Sequence, residues 1–85
     1  METTTRVLVL GLGSIGQRHA RLLSERSDVE VSLCDISEAL RRQAADGLVK
    51  PPAAVYSSFS DALQAQPDIA FICVPNHLHV PMALQ

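Results

Sequence analysis

The chain has no concentration of positive charge: seven lysines and arginines stand against nine aspartates and glutamates, for a net charge of -2. A protein that grips a phosphodiester backbone needs a basic face to displace counterions, so nucleic acid is not an expected partner. Long apolar runs are also missing. The longest, Ile69 to Val74, is far too short to cross a bilayer, and Met1-Glu2-Thr3-Thr4-Thr5-Arg6 has neither the basic start nor the apolar stretch of a signal peptide. A cytoplasmic protein without membrane contact is the expectation. Cysteine is scarce. Cys34 and Cys73 sit in apolar, strand-like segments without CxxC spacing, which argues for buried free thiols over a disulfide or a metal pair. At 47% hydrophobic and 19% charged, the composition lies outside the polar, highly charged regime of disordered chains. With 85 residues there is room for one small domain, burying roughly 60 to 65% of its unfolded surface, and none for a two-lobed enzyme.

What is present is an alternation of strand and helix signals. Val7-Leu8-Val9-Leu10 is a branched apolar run stopped by Gly11, as for a central parallel strand buried on both faces. A helix is expected from Ser14 to about Glu25, with Ile15, Leu22 and Leu23 on its inner face. Val29 to Cys34 alternates apolar with mostly polar residues and leads to Asp35, a second strand. Ser37 is placed to cap a helix that carries Glu38 in its first turn, and Gly47 is a suitable left-handed terminator. After the Pro51-Pro52 loop, Ala54 to Tyr56 makes a short third strand. Ser58 followed by Asp61 resembles a capping box for a brief helix through Phe59, Ala62 and Leu63, closed off by Pro67. Asp68 to Val74 is the fourth strand. Pro75 ends it, and Pro81 suits the first turn of a further helix beginning near Val80.

Strands joined by single helical crossovers lie parallel, and the right-handed rule leaves few topologies. The simplest is a Rossmann-type doubly wound α/β sheet of strand order 3-2-1-4, in which the chain reverses direction across the sheet between strands one and four. The loops after those two strands then flank one crevice. They are Gly11 to Gly16 and Pro75 to His79.

Gly11-Leu12-Gly13-Ser14-Ile15-Gly16 is a GxGxxG loop. Alone that pattern is weak, but here it follows a strand, opens a helix and has an acid, Asp35, about 20 residues beyond it at the end of strand two. Gly11 permits the tight turn, Gly13 leaves room for a pyrophosphate, and Gly16 lets the helix pack closely on the sheet. The phosphates would face backbone N–H groups at the positive end of the helix dipole. Asp35 is placed to accept hydrogen bonds from the adenosine ribose hydroxyls, and its charge would repel a 2′-phosphate, which favours NAD, with NADP the alternative. Arg41 and Arg42 would reach such a phosphate only by curling back toward the loop; a solvated basic face is the simpler expectation.

The segments Gly11-Leu12-Gly13-Ser14-Ile15-Gly16-Gln17-Arg18-His19-Ala20 and Pro67-Asp68-Ile69-Ala70-Phe71-Ile72-Cys73-Val74-Pro75-Asn76-His77-Leu78-His79 closely resemble the Gfo/Idh/MocA oxidoreductases, a family that includes glucose-fructose oxidoreductase and inositol 2-dehydrogenase. The resemblance covers about Arg6 to Gln85, and the ending Val-Pro-Asn-x-x-His is its more specific part. It implies hydride transfer between bound NAD(P) and a hydroxyl or carbonyl, often on a sugar or cyclitol. Carried over by motif, Gly11, Leu12, Gly13, Ser14, Ile15 and Gly16 would bind pyrophosphate and Asp35 the ribose. Val74, Pro75, Asn76 and His79 would line the path toward the nicotinamide half.

Family members continue into a fifth strand, a Glu-Lys-Pro motif with the lysine implicated in catalysis, and a substrate domain. The lone lysine here is Lys50, in the proline loop. Residues 1–85 are therefore expected to be the N-terminal part of a cofactor domain, incomplete at its C-terminal edge, with no catalytic residue of its own and inactive alone. A small-molecule substrate would bind with the missing domain, and homo-oligomerisation stays open. His19, on the first helix, is expected to pack or lie partly exposed. His77 and His79 form an HxH pair but lack further metal ligands at sensible spacing, so no metal site is expected. Two other functions fit the same residues: a non-catalytic NAD-sensing regulatory module, and a related reductase acting on a non-sugar substrate.

Overall fold

The computed structural model describes residues 4–73. They fold as β1 (Thr5–Leu10), α1 (Ser14–Ser24), β2 (Val29–Cys34), α2 (Glu38–Asp46), β3 (Ala54–Tyr56), α3 (Phe59–Gln64) and β4 (Ile69–Ile72). The four strands form one sheet in the order β3-β2-β1-β4, and every neighbouring pair is parallel. The expected doubly wound α/β sheet is thus what these residues build. Leu10, the last residue of β1, is flanked by Cys34 on β2 and Ile72 on β4. The connections that leave β1, β2 and β4 therefore start from one end of the sheet.

Side chains alternate across a strand, so β1 feeds two cores. Val7 and Val9 pack with Leu12, Ala20, Val29, Val31, Leu33 and Ala44 on the side covered by α1 and α2. Leu8 and Leu10 pack with Cys34 and Ala62 on the other side, against α3, with Tyr56, Phe59 and Ile72 around them. Leu8, Leu12 and Leu33 are almost wholly removed from solvent, each contributing about 1.5 to 3 kcal/mol of hydrophobic stabilisation.

Helix α1 turns a different face inward than its apolar residues suggest. Ile15 and Leu22, expected inside, are 66% and 53% exposed, while Gly16, Ala20 and Ser24 are buried and Leu23 packs at the edge of the core. The cause is close approach. A Cβ on Gly16 would overlap the Gly11 carbonyl oxygen, so the helix backbone lies against the loop and only small side chains fit beneath it. Ser24 meets the cost of burying a hydroxyl: its Oγ donates to the Arg21 carbonyl at 2.7 Å and accepts the Val49 N–H at 3.0 Å.

The caps follow the sequence at two helices. Ser37 accepts the Leu40 N–H and Ser58 accepts the Asp61 N–H, each replacing an N–H partner that the first helical turn lacks. Gly47 ends α2 with φ -83, in right-handed rather than left-handed geometry, because its N–H simply continues the helical ladder to the Gln43 and Ala44 carbonyls. The left-handed residue is instead Gln66, φ 55, after α3. On β4, Ile69 and Phe71 are 46% and 37% exposed, and the His19 ring stacks on Phe71 at 6.0 Å between centroids. No helix among the described residues is long and apolar enough to cross a membrane.

Candidate functional site

Strand β1 ends at Leu10, and Gly11 turns the chain with φ 92, a conformation in which an L side chain is strained. Its N–H still donates to the Cys34 carbonyl at 2.9 Å, which continues the ladder between β1 and β2 by one bond. Gly13 is the N-cap of α1, in extended geometry, with no side chain capping the helix and no acidic residue in the first turn. The other two helices have both a serine cap and a first-turn carboxylate. Helix α1 thus offers no cap or first-turn carboxylate of its own to offset the partial positive charge at its start.

A cavity of about 490 Å³ opens here, within the size range of small-molecule sites. Gly11, Leu12, Gly13, Ser14 and Ile15 line it from the loop, Cys34, Asp35 and Ile36 from the end of β2, and Cys73 from the end of β4. A Cβ on Gly13 would meet nothing within 4 Å, so the space beside the loop is open at that residue. Gly16 is outside the lining and serves the contact with Gly11. Val74, Pro75, Asn76, His77 and His79, expected on the far wall, lie outside the described residues.

Asp35 holds the site together. Its Oδ2 accepts the Leu12 N–H and its Oδ1 the Ser37 N–H, each at 2.8 Å, so one carboxylate ties the glycine loop to the entry of α2. A carboxylate has about four acceptor positions, which leaves capacity for an incoming hydroxyl. Arg41 does curl back, donating from Nη1 to the Asp35 carbonyl at 2.7 Å; Arg42 instead pairs with Glu38 at 3.6 Å on the exposed face. Gln17, not foreseen from the sequence, donates from Nε2 to the Leu12 carbonyl at 2.9 Å and to Gln43 Oε1 at 3.3 Å.

Sequence reasoning also missed Ile36, Leu40, Ser57 and Phe59, which with Leu10 complete the lining. Ile36 is 90% exposed. An apolar side chain directly after the acid that ends a strand was the signal available for it. Both cysteines are free thiols. Burial pushes the Cys34 thiol above its ordinary pKa, with the nearby Asp35 charge adding to the effect, and burial does the same to Cys73. Neither is primed as a nucleophile at neutral pH. Among the described residues no three His, Cys, Asp or Glu side chains gather as metal ligands.

A glycine-lined helix N-terminus beside an apolar-walled cavity, with a fixed carboxylate across from it, suits a ligand carrying phosphate, ribose and a flat apolar ring. Residues 5–85 match the family model described as an oxidoreductase family with an NAD-binding Rossmann fold. No curated protein matches the chain.

Proposed function

As the chain belongs to the Gfo/Idh/MocA oxidoreductase family with its NAD-binding Rossmann fold, we propose that the cavity between the glycine loop and Asp35 receives NAD. The observation that carries this reading is the open space at Gly13 beside an uncapped helix N-terminus. There the pyrophosphate would meet backbone donors without displacing any side chain. Asp35, already oriented by Leu12 and Ser37, would accept the adenosine ribose hydroxyls. Ile36, apolar and exposed at the rim, would offer the adenine ring a surface to lie on.

When bound, the nicotinamide ring would exchange a hydride with a hydroxyl or carbonyl substrate, a sugar or cyclitol in this reading. The chain's own part is binding and orientation, with Val74, Pro75, Asn76 and His79 extending the site toward the nicotinamide; the substrate and the proton-transfer group belong to a further domain of the complete protein. We place the protein in the cytoplasm. The negative charge of Asp35 disfavours a 2′-phosphate, whereas Arg41, anchored beside it, moderates that preference without reversing it. Isothermal titration of the full protein with NAD and with NADP tests the proposal. NAD should bind more tightly; a preference for NADP would overturn the role given to Asp35, and no binding of either would overturn the reading as a whole.

A further inference from the structure

The glycine that admits a phosphate also loosens the loop. A peptide unit is planar and trans, so the Leu12 carbonyl and the Gly13 N–H point in opposite directions. Turning the Leu12–Gly13 peptide over would carry the Gly13 φ, -69 in this structure, to positive values, which glycine accepts at little cost. The flipped peptide would present a carbonyl oxygen, not an N–H, to an incoming anion. Some other group must therefore fix the orientation.

Gln17 is that group. Its Nε2 donates to the Leu12 carbonyl at 2.9 Å, from a helix position that does not line the cavity, whereas Gly13 does. Holding the carbonyl on the Gln17 side, away from the lining, turns the Gly13 N–H to the opposite side of the peptide, and Gly13 itself lines the cavity. The second Nε2 hydrogen goes to Gln43 Oε1 at 3.3 Å. Both donors are thus engaged, and the reversed amide would set Oε1 against the Leu12 carbonyl. The preceding peptide is held independently, through the Leu12 N–H on Asp35. We infer that Gln17 is a positioning residue that locks the Leu12–Gly13 peptide with its N–H facing the cavity, preforming an anion-binding donor for the pyrophosphate.

This rests on the dinucleotide reading, and the test separates the two. In the full protein, Gln17→Met keeps the side-chain length and removes the donor. Titrations with NADH, ADP and adenosine then compare ligands with and without phosphates. NADH and ADP should each bind about tenfold more weakly to the variant, the loss of one charge-assisted hydrogen bond, while adenosine binds as it does to the wild type. Gln17→Asn, too short to span to Leu12, should repeat the pattern; Gln17 is only half-buried, and circular dichroism identifies any variant that is not folded. Unchanged ADP affinity would overturn the inference, as would an equal loss for adenosine, which would mark a general structural effect. Wild-type protein that binds neither NADH nor ADP would instead bring down the dinucleotide reading, and this inference with it.

Discussion

The Asp35 carboxylate accepts the Leu12 N–H at 2.8 Å, tying the end of β2 to the loop that follows β1. The same carboxylate accepts the Ser37 N–H, so the residue proposed to read a ribose also organises two backbone turns. Binding and folding therefore share one side chain, and a substitution there has to be tested on both.

Asp35→Asn keeps the size but exchanges one acceptor oxygen for an NH2 group. Two N–H donors then compete for a single oxygen, and one of Leu12 and Ser37 faces another donor. The expected cost is about 1 to 3 kcal/mol of stability, read as a lower urea midpoint with unchanged slope, together with weaker NAD binding. A midpoint equal to that of the wild type would show that these two bonds do not carry the loop.

The glycines of the loop should separate cleanly. Gly16→Ala forces a Cβ onto the Gly11 carbonyl, so α1 must move and stability should fall by about 1 to 3 kcal/mol. Gly13→Ala meets nothing within 4 Å and sits at a φ of -69 that alanine accepts. Its stability should change little, because the gain of about 0.4 to 1 kcal/mol through the unfolded state is offset by the poorer capping of alanine at this N-cap position, while NAD affinity drops because the new methyl occupies the cavity. Thermal melts and NAD titrations on the two variants give the comparison; retained NAD affinity in Gly13→Ala would contradict the proposed phosphate position.

Much of this layout was legible in the sequence because local signals and tertiary demands agree. Val29 to Cys34 alternates as a strand and is one, Ser37 and Ser58 cap the helices they precede, and the order of the strands follows from single crossovers. The failures share a cause. Which face of α1 turns inward is decided by Gly16 meeting Gly11, a contact that outweighs the burial of Ile15 and Leu22. Gln17 likewise has nothing in its spacing to set it apart from the other polar residues of α1. Its function comes from reaching back to Leu12, which is a matter of loop geometry and leaves no mark in hydrophobic spacing. Val74, Pro75, Asn76 and His79, the more specific half of the motif, lie outside the described residues.

The two cysteines make the cavity chemically addressable. Burial raises both thiol pKa values in the folded protein, so the fold holds these protons more tightly than the unfolded chain does. Their contribution to stability is intact below the free thiol value of about 8.5 and is lost as pH rises through the higher folded values. Iodoacetamide should therefore modify Cys34 and Cys73 at pH 7.5 at least about tenfold more slowly than a free cysteine, given how reactivity follows the thiolate fraction. Saturating NAD should slow it further, since both residues line the cavity. Peptide mass mapping over time reads both effects, and labelling as fast as that of a free thiol would contradict the burial.

Gln66 is the one place among the described residues where a non-glycine residue holds positive φ. Its N–H donates to the Leu63 carbonyl at 2.9 Å, closing α3 as a left-handed residue does after a helix, and Pro67 then keeps the chain from continuing as one. The side chain is exposed, so its replacement removes no core contact. For an L-residue this conformation costs about 1 to 2 kcal/mol, whereas glycine adopts it freely but loses about 0.5 to 1 kcal/mol more chain entropy on folding. Gln66→Gly should therefore stabilise the protein by about 0.5 to 1 kcal/mol as the difference of the two, and Gln66→Val, with a branched Cβ, should destabilise it. Urea unfolding of both variants measures the pair. The opposite order of midpoints would mean that this turn relaxes out of the left-handed region, and that Pro67 alone ends the helix.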